Sequence, residues 1–170
     1  MPAPLILAIA ALGGYFLGSS RATVGRPSMQ LGYPMEDSES TRKALERYAN
    51  AMAANNADWF RANPDAPDCV TRAGVGYIAP PNCKGNPSCQ AVRDAPGLLS
   101  AKVGTCIDFA AYDAGHHLAA GSNARVVLYH VEVDGVVQEF QYHAVVQGPQ
   151  GVEDPAAEVQ AKAGGCGCGE

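Results

Sequence analysis

The sequence predicts an α+β domain, and three observations carry that prediction. The alanine-rich stretch IDFAAYDAGHHLAA begins directly behind Cys106, is apolar at Ile107, Ala110, Ala111, Ala114 and Leu118, and stops at Gly121; this pattern predicts a helix over about 106–120. The runs ARVVLYHVEV and VVQEFQYHAVV flank Asp134-Gly135, the strongest short signal for a two-residue β-hairpin. A second turn, from Gly148 to Gly151, returns the chain into a short strand at Val152 and Glu153. A helix followed by an antiparallel meander is an α+β arrangement, the sheet packing on a helix that begins at a cysteine.

Composition bounds what such a domain does. The chain has 170 residues, 12 Lys plus Arg against 17 Asp plus Glu, a net charge of −5 and 47% hydrophobic residues. That apolar content excludes wholesale disorder and supports one core with tails on either side. The acidic balance argues against an electrostatic nucleic-acid partner. Charged residues are too evenly present after the leader for a polytopic membrane protein.

The first element is an apolar leader, since no charged residue precedes Arg21. Within residues 1–20 the run APLILAIAALGGYFLG occupies residues 3–18, and roughly 18 helical residues would reach about 27 Å, enough to cross a bilayer once. Residues 1–20 are therefore expected to be a single-pass membrane anchor, touching lipid through residues 3–18, with a cleaved signal peptide as the rival reading. No Lys or Arg precedes the run and no small-x-small site follows it, which favours the anchor. Ala10, Gly14 and Gly18 fall on one helix face and include a GxxxG, a surface for helix–helix self-association. Arg21 and Arg26 vote for a cytoplasmic domain, but two charges leave the membrane side open.

Residues 21–37 mix Gly, Pro and Ser without periodicity and form a linker. A helix is expected to start between Asp37 and Thr41, where capping side chains gather, and to run through Leu45, Tyr48, Ala49 and Met52 to the Asn55-Asn56 pair. Trp59 and Phe60 form a further turn that stops before Pro64 and anchor the core. Residues 63–97 are proline-rich, hold Cys69, Cys83 and Cys89, and read as a long irregular connection of the kind that often carries function. The folded domain is expected over 38–158, and residues 159–170, ending GGCGCGE, as a flexible tail.

A cysteine in the first turn of a helix meets unpaired backbone N–H groups and the positive end of the helix dipole, which favour the thiolate. The same N–H groups can stabilise an oxyanion. Cys106 has that placement. A nucleophilic thiol also needs a base: His143 lies in the second strand of the hairpin, and Asp154, at the start of the next segment, can orient its imidazole. On these residues alone Cys106 reads equally as a buried structural cysteine and His143 as a satisfied histidine.

Spacing adds to this. Gly104, Cys106, Asp108, Phe109 and Ala110 are followed by Gly121, Ala124, Arg125 and Val126, then Tyr142, His143 and Ala144, then Asp154 and Pro155. In that order, over roughly residues 98–157, they resemble the transglutaminase-like superfamily of cysteine enzymes. The resemblance implies a transglutaminase-like, papain-like cysteine proteinase core, with Cys106 as nucleophile, His143 as general base and then acid, and Asp154 as the orienting carboxylate. It implies acyl transfer from an amide of a protein or peptide substrate, as a peptidase, an amidase or a crosslinking enzyme, with no metal or organic cofactor. Where many members carry an aromatic residue after the His–Ala pair, this chain has Val145 and Val146.

Other candidates have plainer explanations. Arg125 is expected in a structural ion pair rather than as a substrate clamp, and Asp108 to face away from Cys106. His116 and His117 are adjacent and suit a helix C-terminus; His130, on the first hairpin strand, could lie near the triad. Cys83 and Cys89 are separated by five residues, and Cys166 and Cys168 by one, spacings unlike those of structural zinc sites. A loop disulfide between Cys83 and Cys89, or between one of them and Cys69, suits an oxidising space. With Cys106 free, five cysteines remain and cannot all pair within one chain. The competing function is a non-catalytic structural or interaction protein of a membrane-containing assembly, built on the same fold; thiol–disulfide work by the Cys166/Cys168 tail is a third.

Overall fold

A computed structural model describes residues 38–79 and 92–163. The elements in order are α1 (Ser38–Ala62), β1 (Gly76–Tyr77), α2 (Ala95–Ala101), β2 (Val103–Gly104), α3 (Cys106–Ala119), β3 (Arg125–Val133), β4 (Val136–Gly148), β5 (Gly151–Glu153) and α4 (Pro155–Ala163). The fold is α+β: β3, β4 and β5 form an antiparallel sheet in that order, and β1 and β2 form a separate parallel pair. Helices α1 and α3 pack on each other and on the three-stranded sheet. The expected anchor at residues 1–20 and the linker at 21–37 lie outside the described residues; among the described residues no helix is long and apolar enough to cross a membrane.

The first helix does not stop at Asn55-Asn56. Asn56 is fully buried, its Nδ2 donates to the Ala111 carbonyl at 3.1 Å and its Oδ1 accepts the Ala95 N–H at 2.8 Å. A side-chain amide satisfied on two other elements no longer competes with its own helix backbone. The expected stop is instead a polar tie joining α1 to α3 and to the start of α2. Trp59 and Phe60 continue the same helix, and Phe60 meets the Tyr112 ring edge-on with centroids 4.9 Å apart. Where α1 and α3 cross, Gly115 is needed for closeness: a Cβ there would lie 2.6 Å from Asn56 Cβ and 3.0 Å from the Ala53 carbonyl.

The same helix closes the edge of the sheet. Asn50 donates to the Val126 carbonyl at 2.8 Å and accepts the Val126 N–H at 2.9 Å. Glu46 accepts the Leu128 N–H at 3.0 Å, and Arg42 donates to the Leu128 carbonyl at 2.7 Å. Residues 42, 46 and 50 are four apart, a helix step of about 6 Å, close to the ~6.6 Å covered by two strand residues. Helix side chains thus stand in for a missing neighbour strand along β3.

Asp134 and Gly135, with φ of 52° and 77°, make the tight turn that the Asp-Gly pair predicts. In the sheet Val126, Leu128 and His130 pair with Val146, Ala144 and Tyr142, and all but His130 are buried in the core. Between His130 and Glu132 the register shifts, because β4 runs from Tyr142 to Val137 over the same interval. This bulge contains Phe140 at φ 58°. Positions 137 and 142 differ by an odd number yet share a face, so the bulge resets the alternation and fixes which β4 residues enter the core.

The proline-rich segment is more ordered than expected. Asp94 Oδ1 accepts the Gly97 N–H at 2.9 Å and caps α2, with Pro96 in the first turn, while β1 pairs with β2 through Gly76↔Val103 and Tyr77↔Gly104. Residues 80–91, with Cys83 and Cys89, lie outside the described residues. The C-terminal boundary also moves. Helix α4 continues past residue 158 to Ala163, held by burial of Pro155, Ala156 and Val159, where a flexible tail was expected from 159; the Cys166 and Cys168 end lies outside the described residues.

Candidate active site

Cys106 is the first residue of α3, and a reciprocal cap fixes the start of that helix. Thr105 Oγ1 accepts the Asp108 N–H at 3.5 Å, and Asp108 Oδ2 accepts the Thr105 N–H at 2.8 Å. Asp108 faces this cap, its other oxygen accepting the Arg93 backbone N–H at 2.6 Å, with the Arg93 guanidinium 3.1 Å from Oδ2. Burial pushes the Asp108 carboxyl up, and the bonds from Arg93 and Thr105 pull it back. Of the backbone donors that a helix start leaves without intrahelical partners, this cap uses those of Thr105 and Asp108 and leaves those of Cys106 and Ile107 in the first turn that carries the sulfur. Gly104 is required for a packing reason, since a Cβ there would come within 2.5 Å of Leu98 Cδ1 and 2.7 Å of Phe109 Cε1.

The Cys106 residue is 1% exposed. Its Sγ donates to the Tyr142 carbonyl oxygen at 3.8 Å, one position before His143, and the thiol lies close enough to the imidazole to be the first cause of its raised pKa. His143 Nε2 sits 2.6 Å from Asp154 Oδ2, which leaves Nδ1 for the sulfur. Asp154 Oδ1 accepts the Ala157 N–H at 3.0 Å, so the carboxylate is also the N-cap of α4. The hydrogen bond with Cys106, then that with Asp154, raises the His143 imidazole to about 9 against the opposing effect of burial. All three residues expected to carry chemistry come together, from α3, β4 and the start of α4.

Tyr77 joins them and was not expected. It is paired with Gly104, two residues before the cysteine, and its ring meets Phe109 edge-on at 6.1 Å. Helix α4, which starts behind Asp154, packs on the same strand. Burial, followed by the charges of Cys106 and Asp154, pushes the Tyr77 phenol up. Nothing in sequence spacing marks this residue, because a two-residue parallel pair carries it to the site from within the proline-rich segment.

The remaining candidates lie elsewhere. Arg125 hydrogen-bonds Gln147 Oε1 at 3.0 and 2.7 Å, so its partner is an amide and the expected ion pair is replaced. His116 packs edge-on against Phe60 at 5.2 Å. His117 Nε2 lies 2.9 Å from Glu153 Oε2, linking the end of α3 to the strand that delivers Asp154. His130 Nε2 is 3.4 Å from Glu39 Oε2 and its ring tilts on Tyr142 at 5.2 Å, on the face turned from His143. Cys69 has a free thiol 3.0 Å from Thr71 Oγ1, so the alternative in which it closes a loop disulfide is not seen. Among the described residues no group of three His, Cys, Asp or Glu side chains could hold a metal ion.

Compared with family models, with curated proteins and with solved structures, the chain matches none.

Proposed function

We propose that this chain is a transglutaminase-like, papain-like cysteine peptidase or amidase, tethered to a membrane by residues 1–20 and acting on an amide of a protein or peptide. The observation that carries the reading is the convergence of Cys106, His143 and Asp154 from three separate elements, with His143 Nε2 2.6 Å from Asp154 Oδ2 and the Cys106 thiol beside the imidazole. The sulfur at the helix start and the apolar run of residues 3–18 support its two halves.

In this reading His143, its imidazole raised to about 9, stands as imidazolium beside the Cys106 sulfur, which reacts as the thiolate. The thiolate attacks the amide carbonyl carbon, and the carbonyl electron pair moves to oxygen. The N–H groups of Cys106 and Ile107 donate to that oxyanion, and the Tyr77 hydroxyl provides a third donor. Collapse expels the amine, which takes the Nδ1 proton of His143 and leaves an acyl thioester on Cys106. Neutral His143 then takes a proton from water or an acceptor amine as it attacks, and the thiolate departs. In this cycle His143 serves as acid toward the departing amine and as base toward the attacking water or amine.

Iodoacetamide tests the core of this reading. Cys106 should be alkylated faster than the other five cysteines at mildly acidic pH, and Cys106→Ala should remove amide turnover without unfolding the protein. Equal alkylation of all six thiols would sink the activated-thiolate claim. For the tether, the full chain should sediment with phosphatidylcholine vesicles and a chain lacking residues 1–20 should not.

A further inference from the structure

Across β3 and β4, Tyr129 stands directly opposite His143. Directly opposed residues project from the same face of a sheet, with Cβ atoms about 4.5–5.5 Å apart. The same face carries Val127 opposite Val145 and, further along β3, Val131 and Val133, the last opposite Val136. Val145 is buried, whereas Tyr129 is 50%, Val133 50% and Val136 61% exposed. The face is therefore covered at Val145 and, along β3, opens at the imidazole into Tyr129, Val131 and Val133 toward the hairpin tip. Glu132, the charged residue of this end of β3, alternates to the opposite face. Tyr129 is half-exposed and outside the buried core, so its apolar area is not spent on the fold.

The chemistry says which part of a substrate passes there. In the mechanism proposed above, His143 delivers its proton to the departing amine, so the amine side of the substrate lies against the imidazole, and Tyr129 is the imidazole's cross-strand neighbour. We infer that Tyr129, with Val131 and Val133, forms the subsite for the amine side of the substrate and selects an aromatic or apolar group there. The inference rests on the reading of Cys106 and His143 as nucleophile and acid. By microscopic reversibility an acceptor amine enters through the same subsite.

The test uses the full-length protein, 4-nitrophenyl acetate as acyl donor, and 2-phenylethylamine or ethanolamine as acceptor. The thiolate of Cys106 displaces 4-nitrophenolate, whose burst reports acylation. The amine then attacks the acetyl thioester, His143 takes its proton, and the thiolate leaves with formation of the N-acetyl amide. After correction for the rates of the two amines with a free thioester, the wild type should prefer 2-phenylethylamine by about tenfold. Tyr129→Ala should reduce the preference to about twofold or less while keeping a burst that depends on Cys106, slower because 4-nitrophenolate leaves through the same subsite, and Tyr129→Phe should retain the preference. Equal use of both amines by the wild type, an undiminished preference in Tyr129→Ala, or a burst lost in Tyr129→Ala would each overturn the subsite. Absence of any burst that depends on Cys106 would overturn the triad reading itself, and the subsite with it, which separates the two failures.

Discussion

Asp154 Oδ2 lies 2.6 Å from His143 Nε2, and the carboxylate is held at that angle because its other oxygen caps α4 through the Ala157 N–H. Two substitutions separate these roles. Asp154→Asn keeps an acceptor for the cap but removes the charge and can present N–H to Nε2, favouring the wrong tautomer. Its kcat should fall by about 10²–10⁴ with Tm almost unchanged. Asp154→Ala loses the cap as well, and thermal unfolding should register a further cost of about 1 kcal/mol.

The His143 imidazole is raised to about 9, first by the hydrogen bond with Cys106. Its folded value lies above the ordinary value of about 6.5, so its contribution to stability is complete below that pH and is lost as pH rises through about 9. Turnover should fall over the same alkaline range as the acid of the first step disappears. Proton NMR titration of the His143 ring should give a midpoint near 9 in the wild type and a lower one in Cys106→Ala. An unmoved midpoint would show that the sulfur is not the main cause.

Tyr77→Phe removes one hydroxyl and leaves the edge contact with Phe109. If that hydroxyl donates to the oxyanion, kcat should fall by about 10²-fold with KM little changed. Alkylation of Cys106 by iodoacetamide, which forms no oxyanion, should keep its rate. Parallel losses in both assays would assign Tyr77 to packing instead.

Asp113 is a buried carboxyl outside the site, its Oδ1 accepting the Val70 N–H at 3.1 Å. Burial first, and then the charges of Glu158, Glu153 and Asp68, push it well above the carboxylate range. An acid that keeps its proton when folded and releases it when unfolded makes stability fall as pH rises. Asp113→Asn keeps an oxygen for Val70 and cannot ionise. Its stability advantage in urea unfolding should grow by up to about 1.4 kcal/mol per pH unit above pH ~4, until the native carboxyl titrates. A constant advantage would mean that Asp113 is already ionised in the folded state.

The elements legible in the sequence are those whose signals are local. Cys106 falls at the start of α3 because Thr105 and Asp108 cap it, and Asp134-Gly135 turns the hairpin by its own backbone preferences. Tyr77 and Asn56 were illegible for the opposite reason: each acts through partners far along the chain, Gly104 for one and Ala95 and Ala111 for the other. The bulge around Phe140 is hidden because strand alternation reads either phase until the core selects one. Helix α4 was missed although Asp154-Pro155 is a capping signal, because the glycines and cysteines just beyond it outweighed one buried turn.

The closed edge of β3 yields a prediction that no local signal would suggest. Asn50 is the only one of the three clasping side chains that both donates to and accepts from one strand residue, Val126. Asn50→Ala leaves that N–H and carbonyl facing a space too shielded for full hydration, and should cost about 2–4 kcal/mol, the sum of two unmet backbone groups. Asn50→Asp retains the acceptor for the Val126 N–H but sets a carboxylate against the Val126 carbonyl, so it should not recover the wild-type value. Asn50→Leu restores volume without either bond and separates packing from hydrogen bonding. Urea unfolding ranks the variants, while iodoacetamide reactivity at Cys106, measured where each is folded, should stay near that of the wild type. Because an uncovered strand edge recruits other strands, Asn50→Ala should also aggregate sooner than its loss of stability alone predicts. Light scattering beside an equally destabilised Gly115→Ala variant, whose disturbance lies at the α1–α3 crossing, makes that comparison. Equal aggregation of the two would mean that Asn50 matters for stability and not for guarding the edge.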